Sequence, residues 1–114
     1  MARYRNLIAR LGSLSLLLWV GTLSAAAPSD ERQQSLNYML KHDCGSCHGM
    51  TLKGGLGPSL LPQVLHGKGH TLDSVSLIIR HGVPEKAMPP WGPLLDDDEI
   101  RWLAQRLLEI ESSK

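Results

Sequence analysis

The chain is 114 residues long with a formal net charge of +1, which leaves room for one domain at most. It has two Cys and no Phe, so its apolar core is small, and domains of this kind usually need a staple, a metal or a cofactor. Twelve basic residues against eleven acidic ones give no electrostatic footprint for nucleic acid or anionic lipid.

The first segment separates from the rest. Arg3, Arg5 and Arg10 make a basic start, Leu11 to Leu23 runs apolar, and Ser24, Ala25, Ala26 and Ala27 follow. This is the layout of a secretory signal peptide, with cleavage after Ala26 leaving a domain over residues 27–114. An uncleaved anchor is the competing reading, but the apolar run is short for a span and the alanine site favours cutting. Removal takes away three arginines and no acid, so nine basic residues face eleven acidic ones and the mature charge is −2. Export also gives the two Cys a tendency to close as a disulfide unless something else takes them.

Asp30 to His42 reads as a helix capped by Ser29, with Leu36, Met39 and Leu40 on one face. Residues 49–70 are punctuated by Gly and Pro and read as loop, with a short helical turn over Leu60 to Leu65. Leu72 to His81 is a helix whose Leu72, Val75, Ile78 and Ile79 face inward, stopped by Gly82. Gly82 to Pro93 holds too many prolines for regular structure. A last helix runs from Asp97 to Glu109, with Asp96 and Glu99 as a capping box and Ile100, Leu103, Ala104, Leu107 and Leu108 as its stripe. No strand pattern, repeat or low-complexity tract is visible, so the fold class is all-α.

The only cysteines stand in Cys44-Gly45-Ser46-Cys47-His48, the C-x-x-C-H pattern of covalent haem c attachment. Thiols at i and i+3 face one side of a helical turn, as addition to two neighbouring vinyl groups requires. His48 then offers its imidazole to the iron as proximal axial ligand. A zinc clip would need further ligands from scattered histidines. A thiol-exchange site is expected in a βαβ setting. A plain disulfide leaves His48 without a role.

The opposite face of the iron has Met39, Met50, Met88, His42, His66, His70 and His81 as candidates. Met50 is two residues from His48 and cannot round the haem edge. Met39 and His42 lie on the approach to the same turn, and Met39 has a core-packing reading. Met88 stands forty positions on, far enough for the chain to wrap the haem, and Pro89 and Pro90 stiffen the backbone behind it. His81 is the second choice. Trp91 has two readings, an indole N–H for a haem propionate or packing on the apolar face. Arg80 or Lys86 can pair with a propionate, though solvated cations are the plainer reading.

With these motifs the chain resembles a class I c-type cytochrome over essentially all of residues 27–114. CGSCHGMTLKGGLGPSL and AMPPWGPLLDDDEI are similar, more narrowly, to the small monohaem NirC cytochromes associated with the nitrite reductase of denitrifying bacteria. The resemblance implies a small all-α fold wrapped around one covalent haem c, with Met88 as distal ligand and the Pro58 carbonyl accepting from His48. One departure stands out: the first helix has no glycine, and Arg106 occupies the place of an aromatic on the last helix, so Trp102 or Tyr38 would have to supply that contact.

A His/Met pair closes both axial positions, which disfavours inner-sphere catalysis and suits single-electron transfer. The expectation is therefore not an enzyme but a periplasmic electron carrier that docks briefly with redox partners. The resemblance implies nitrite reductase as acceptor and a quinol-linked donor upstream. A redox helper in haem d1 maturation or insertion is the alternative, and a ligand-binding haem protein with a labile Met88 is a third reading. No nucleic acid and, after cleavage, no membrane is expected.

Overall fold

A computed structural model describes residues 26–109. Residues 1–25, which hold all but the last residue of the expected signal peptide, and the last five residues lie outside the described part. Helix α1 spans Asp30–Met39. Ser29 caps it, its hydroxyl accepting from the Arg32 N–H at 3.3 Å, and Asp30 and Glu31 sit at the positive end of the helix dipole. The helix does not stop at His42 as the sequence suggested. It continues through a π-helical turn, Leu40–Cys44, directly into α2, Gly45–His48. The Gly45 N–H reaches back to the Leu40 carbonyl, five residues away, so the C-x-x-C-H motif is the last part of the first helix.

Helix α3 spans Pro62–Gly67, two residues later than expected at both ends. Pro62 explains the start: it lacks an N–H and has a fixed φ, which suits the first helical turn, while Leu61 before it is extended (ψ 141°). Helices α4, Leu72–His81, and α5, Asp97–Glu109, have the predicted bounds. Thr71 and Ser74 form a reciprocal capping box on α4. Asp96 and Glu99 do the same for α5, with bonds of 3.0 and 2.9 Å.

The core is built from Leu36, Leu40, Leu65, Val75, Ile79, Leu95, Ile100, Leu103, Ala104 and Leu107. Leu36 and Ile100 are fully buried. Each fully buried Leu or Ile side chain contributes roughly 1.5–3 kcal/mol by leaving water. The α4–α5 packing is the largest between separate helices, and α3 lies on α5. Charged pairs tie the same elements at the surface: Arg32 of α1 with Glu99 of α5, and Arg80 of α4 with Asp97 of α5. Trp102 is half-buried against the core, whereas Tyr38 is 67% exposed and lies beside the His42 ring. Among the described residues the chain is helical with no strand, a small all-α fold, and no helix is long and apolar enough to cross a membrane.

Candidate functional site

Cys44 ends the π turn and Cys47 and His48 follow on α2, so the motif stands in continuous helix. Both thiols are free, Cys44 half-buried and Cys47 exposed. Burial pushes the Cys44 thiol up to about 11, and the nearby Asp43 carboxylate adds to the shift. Exchange-active cysteines have lowered pKa values, so Cys44 does not suit that chemistry. Among the described residues no group of three or more His, Cys, Asp or Glu side chains is placed to hold a metal, and a zinc clip therefore lacks an assembled donor set.

His48 is buried at 8% exposure. Its Nδ1 lies 2.7 Å from the Pro58 carbonyl oxygen. A carbonyl can only accept, so Nδ1 carries the proton and donates, and Nε2 carries the lone pair that a metal ligand needs. The loop that delivers Pro58 is sewn to the motif by backbone bonds. The Gly54 N–H donates to the His48 carbonyl and the Gly57 N–H to the Cys47 carbonyl, each at 2.8 Å. Gly57 is required by close approach: a Cβ there would stand 2.6 Å from His48 Cε1 and 2.7 Å from Nδ1. In the sequence Gly57 is one of several glycines that punctuate residues 49–70, and nothing there marks its closeness to the imidazole.

Met50 is 51% exposed, and its Cα and sulfur lie beside Gly45. Met39 is half-buried against the core. The other histidines have local surroundings of their own. His66 Nε2 is 3.1 Å from the Leu108 carbonyl, His70 Nδ1 is 3.4 Å from the Ser74 hydroxyl, and His42 lies against Tyr38. His81 is exposed at the end of α4.

Met88 is half-buried in the segment between α4 and α5. Its carbonyl accepts from the Val83 N–H at 3.0 Å in an isolated antiparallel bridge. Trp91 packs against the core, and its backbone N–H donates to the Ile79 carbonyl at 3.0 Å. Arg80 is engaged by Asp97, and Lys86 is exposed. The carboxyl of Glu99 is held below the usual carboxylate range, chiefly by its hydrogen bond from Arg32.

The donor set fits a covalent haem. Two free thiols stand three residues apart in a helical turn, and the next residue is an imidazole whose Nδ1 is already bonded and whose Nε2 is a lone-pair donor. Such a haem supplies one-electron chemistry at its iron. Cys44 and Cys47 would hold the ring of such a haem, and the Pro58 carbonyl would orient the His48 imidazole towards it.

Comparison with known proteins agrees with this chemistry. The family described as cytochrome c oxidase, cbb3-type, subunit III matches residues 31–105. Cytochrome c55X of Stutzerimonas stutzeri is 46% identical over 106 residues, covering 92% of each chain. Cytochrome c55X of Paracoccus denitrificans (strain Pd 1222) is 42% identical over 105 residues, covering 92% of this chain and 99% of that one. A solved structure of a c-type cytochrome NirC has a TM-score of 0.67 at 46% identity, covering 72% of this chain and 94% of that chain.

Proposed function

The chain belongs to the c-type cytochromes, in the cbb3-type subunit III domain family and alongside cytochromes c55X, and we propose that it is a periplasmic carrier of single electrons to nitrite reductase. Family membership makes it an electron-transfer haem protein, not an enzyme. On our reading it holds one haem c through thioethers from Cys44 and Cys47, with His48 and Met88 as the axial ligands. The observation that carries this reading is the His48 geometry. The Pro58 carbonyl fixes the Nδ1 tautomer and leaves Nε2 as a donor beside two free thiols.

Met88 is the choice for the second ligand because its loop is long, returns to the helix it left, and is stiffened by Pro89 and Pro90. Two axial ligands leave small molecules no open position, and a thioether opposite an imidazole raises the potential. Nitrite reductase as acceptor rests on the similarity to NirC in sequence and fold. Export rests on the signal-peptide pattern of residues 1–26.

Optical spectra of the oxidised and reduced protein beside Met88→Ala test the ligand assignment. Wild type should show low-spin haem c and a methionine–iron charge-transfer band, and the variant should lose that band; an unchanged variant spectrum refutes Met88. Stopped-flow mixing of the reduced protein with purified nitrite reductase tests the partner. Transfer fast enough for turnover supports the carrier. Absence of transfer, with haem d1 missing from the reductase of a deletion strain, would instead assign a maturation role.

A further inference from the structure

The methionine segment begins as an interrupted helix. If α4 continued, the Ile79 and Arg80 carbonyls would receive the N–H groups of residues 83 and 84. Residue 84 is Pro, which has none. Instead the chain leaves after Gly82 and returns eight residues later, and the Trp91 and Gly92 N–H groups fill those two places at 3.0 Å each. Val83, released from Ile79, turns its N–H to the Met88 carbonyl. Residues 83–90 thus form an excursion stitched at both ends to the last turn of α4, closed internally by the Val83–Met88 bond and by the Lys86 N–H to the Val83 carbonyl at 2.9 Å.

Gly82 is the pivot. Its φ of +64° and ψ of −164° lie in a region open essentially to glycine alone. A Cβ at this position would stand 2.5 Å from the Met88 carbonyl oxygen and 2.6 Å from the Pro89 carbonyl carbon. Both obstacles are backbone, so no side-chain rotation can relieve them. Gly69 makes a natural contrast: its φ is +75°, yet a Cβ there meets nothing within 4 Å.

We infer that Gly82 is a positioning residue for the Met88 thioether: its missing side chain lets the Met88–Pro89 backbone lie against the end of α4 and sets where the sulfur stands. This rests on the reading of Met88 as an axial ligand. The role differs from ending a helix, because the constraint is on the far end of the excursion.

The test compares holoprotein of wild type, Gly82→Ala, Gly69→Ala and Met88→Ala by charge-transfer band, midpoint potential and thermal midpoint. Gly82→Ala should lose most of the band at neutral pH and shift the potential towards that of Met88→Ala. Gly69→Ala, with strain but no obstacle, should keep the wild-type band and potential. If Gly82→Ala keeps both while Met88→Ala loses them, the positioning role is overturned and the ligand stands. If Met88→Ala keeps the band, the ligand assignment falls and this inference falls with it. Hydrogen exchange of wild type decides the matter should Gly82→Ala fail to fold. The Val83, Trp91 and Gly92 amides should share protection, and a Val83 amide exchanging as if unbonded would overturn the latch.

Discussion

His48 is held by residues that follow it within ten positions, whereas Met88 is held by the end of a helix to which it does not belong. On the first side the Gly54 and Gly57 amides donate to the motif's carbonyls, and the Pro58 carbonyl accepts a hydrogen bond from the imidazole Nδ1–H. All of these groups lie in one short stretch of chain. On the second side the excursion is sewn to Ile79 and Arg80, and its position depends on where α4 lies. Helix α4 is placed by packing on α5 and by the Arg80–Asp97 pair. The proximal side is therefore local in sequence, while the distal side inherits the stability of the tertiary fold. Loss of packing should release the methionine before the histidine.

The largest break should come from Leu103→Ala, which opens a cavity in the core around α5. It should cost about 2–5 kcal/mol in a urea titration. On the proposed ligation, the charge-transfer band should disappear at correspondingly lower urea while the Soret spectrum keeps the signature of His48 ligation. A band that keeps its wild-type midpoint would break the link between the distal side and the core. Gly57→Ala attacks the other side and should cost about 1–3 kcal/mol, because the added methyl overlaps the His48 ring. It should move the paramagnetically shifted ring resonances of His48 and leave the band in place. Band loss with unmoved ring resonances would reverse the comparison.

Asp96→Ala removes one half of the α5 capping box and should cost roughly 1 kcal/mol. Its effect should reach the band only through overall stability, so urea midpoints read by band and by far-ultraviolet dichroism should fall together.

The smallest effect is pH-dependent. Glu99 has a folded pKa below its unfolded one, chiefly because Arg32 donates to it. Its contribution is complete above the ordinary carboxylate range and is lost as pH falls through the depressed value. The pair is partly solvated, so the change is modest. Urea midpoints measured down the acid limb should fall less steeply in Glu99→Gln than in wild type, and equal slopes would remove the pair from the account.

Much of this arrangement was legible in the sequence, for identifiable reasons. Helices α4 and α5 were found to the residue because periodic apolar positions were bracketed by strong signals, Gly82 at one end and Asp96 with Glu99 at the other. The Thr71–Ser74 box escaped because its third position is Ser rather than Glu or Gln. The first helix is cut short at His42 in the sequence because a π turn leaves no mark in a 3.6-residue pattern, whereas the Gly45 N–H continues the ladder. In the sequence Gly57 is visible only as loop punctuation and Gly82 only as a helix stop. What makes each one necessary is an atom brought close by the fold, the His48 ring in one case and the Met88 carbonyl in the other.

The stitched excursion also bears on how such a domain can change over time. The end of α4 accepts two returning amides, Trp91 and Gly92, and its Gly82 lies against the Met88–Pro89 backbone. Residues 83–90 are thus a cassette whose side chains can be exchanged so long as the backbone at 88 and 89 keeps its path past Gly82. A lineage could alter the side chain proposed here as distal ligand, and with it the working potential, without redesigning the helices or the C-x-x-C-H motif.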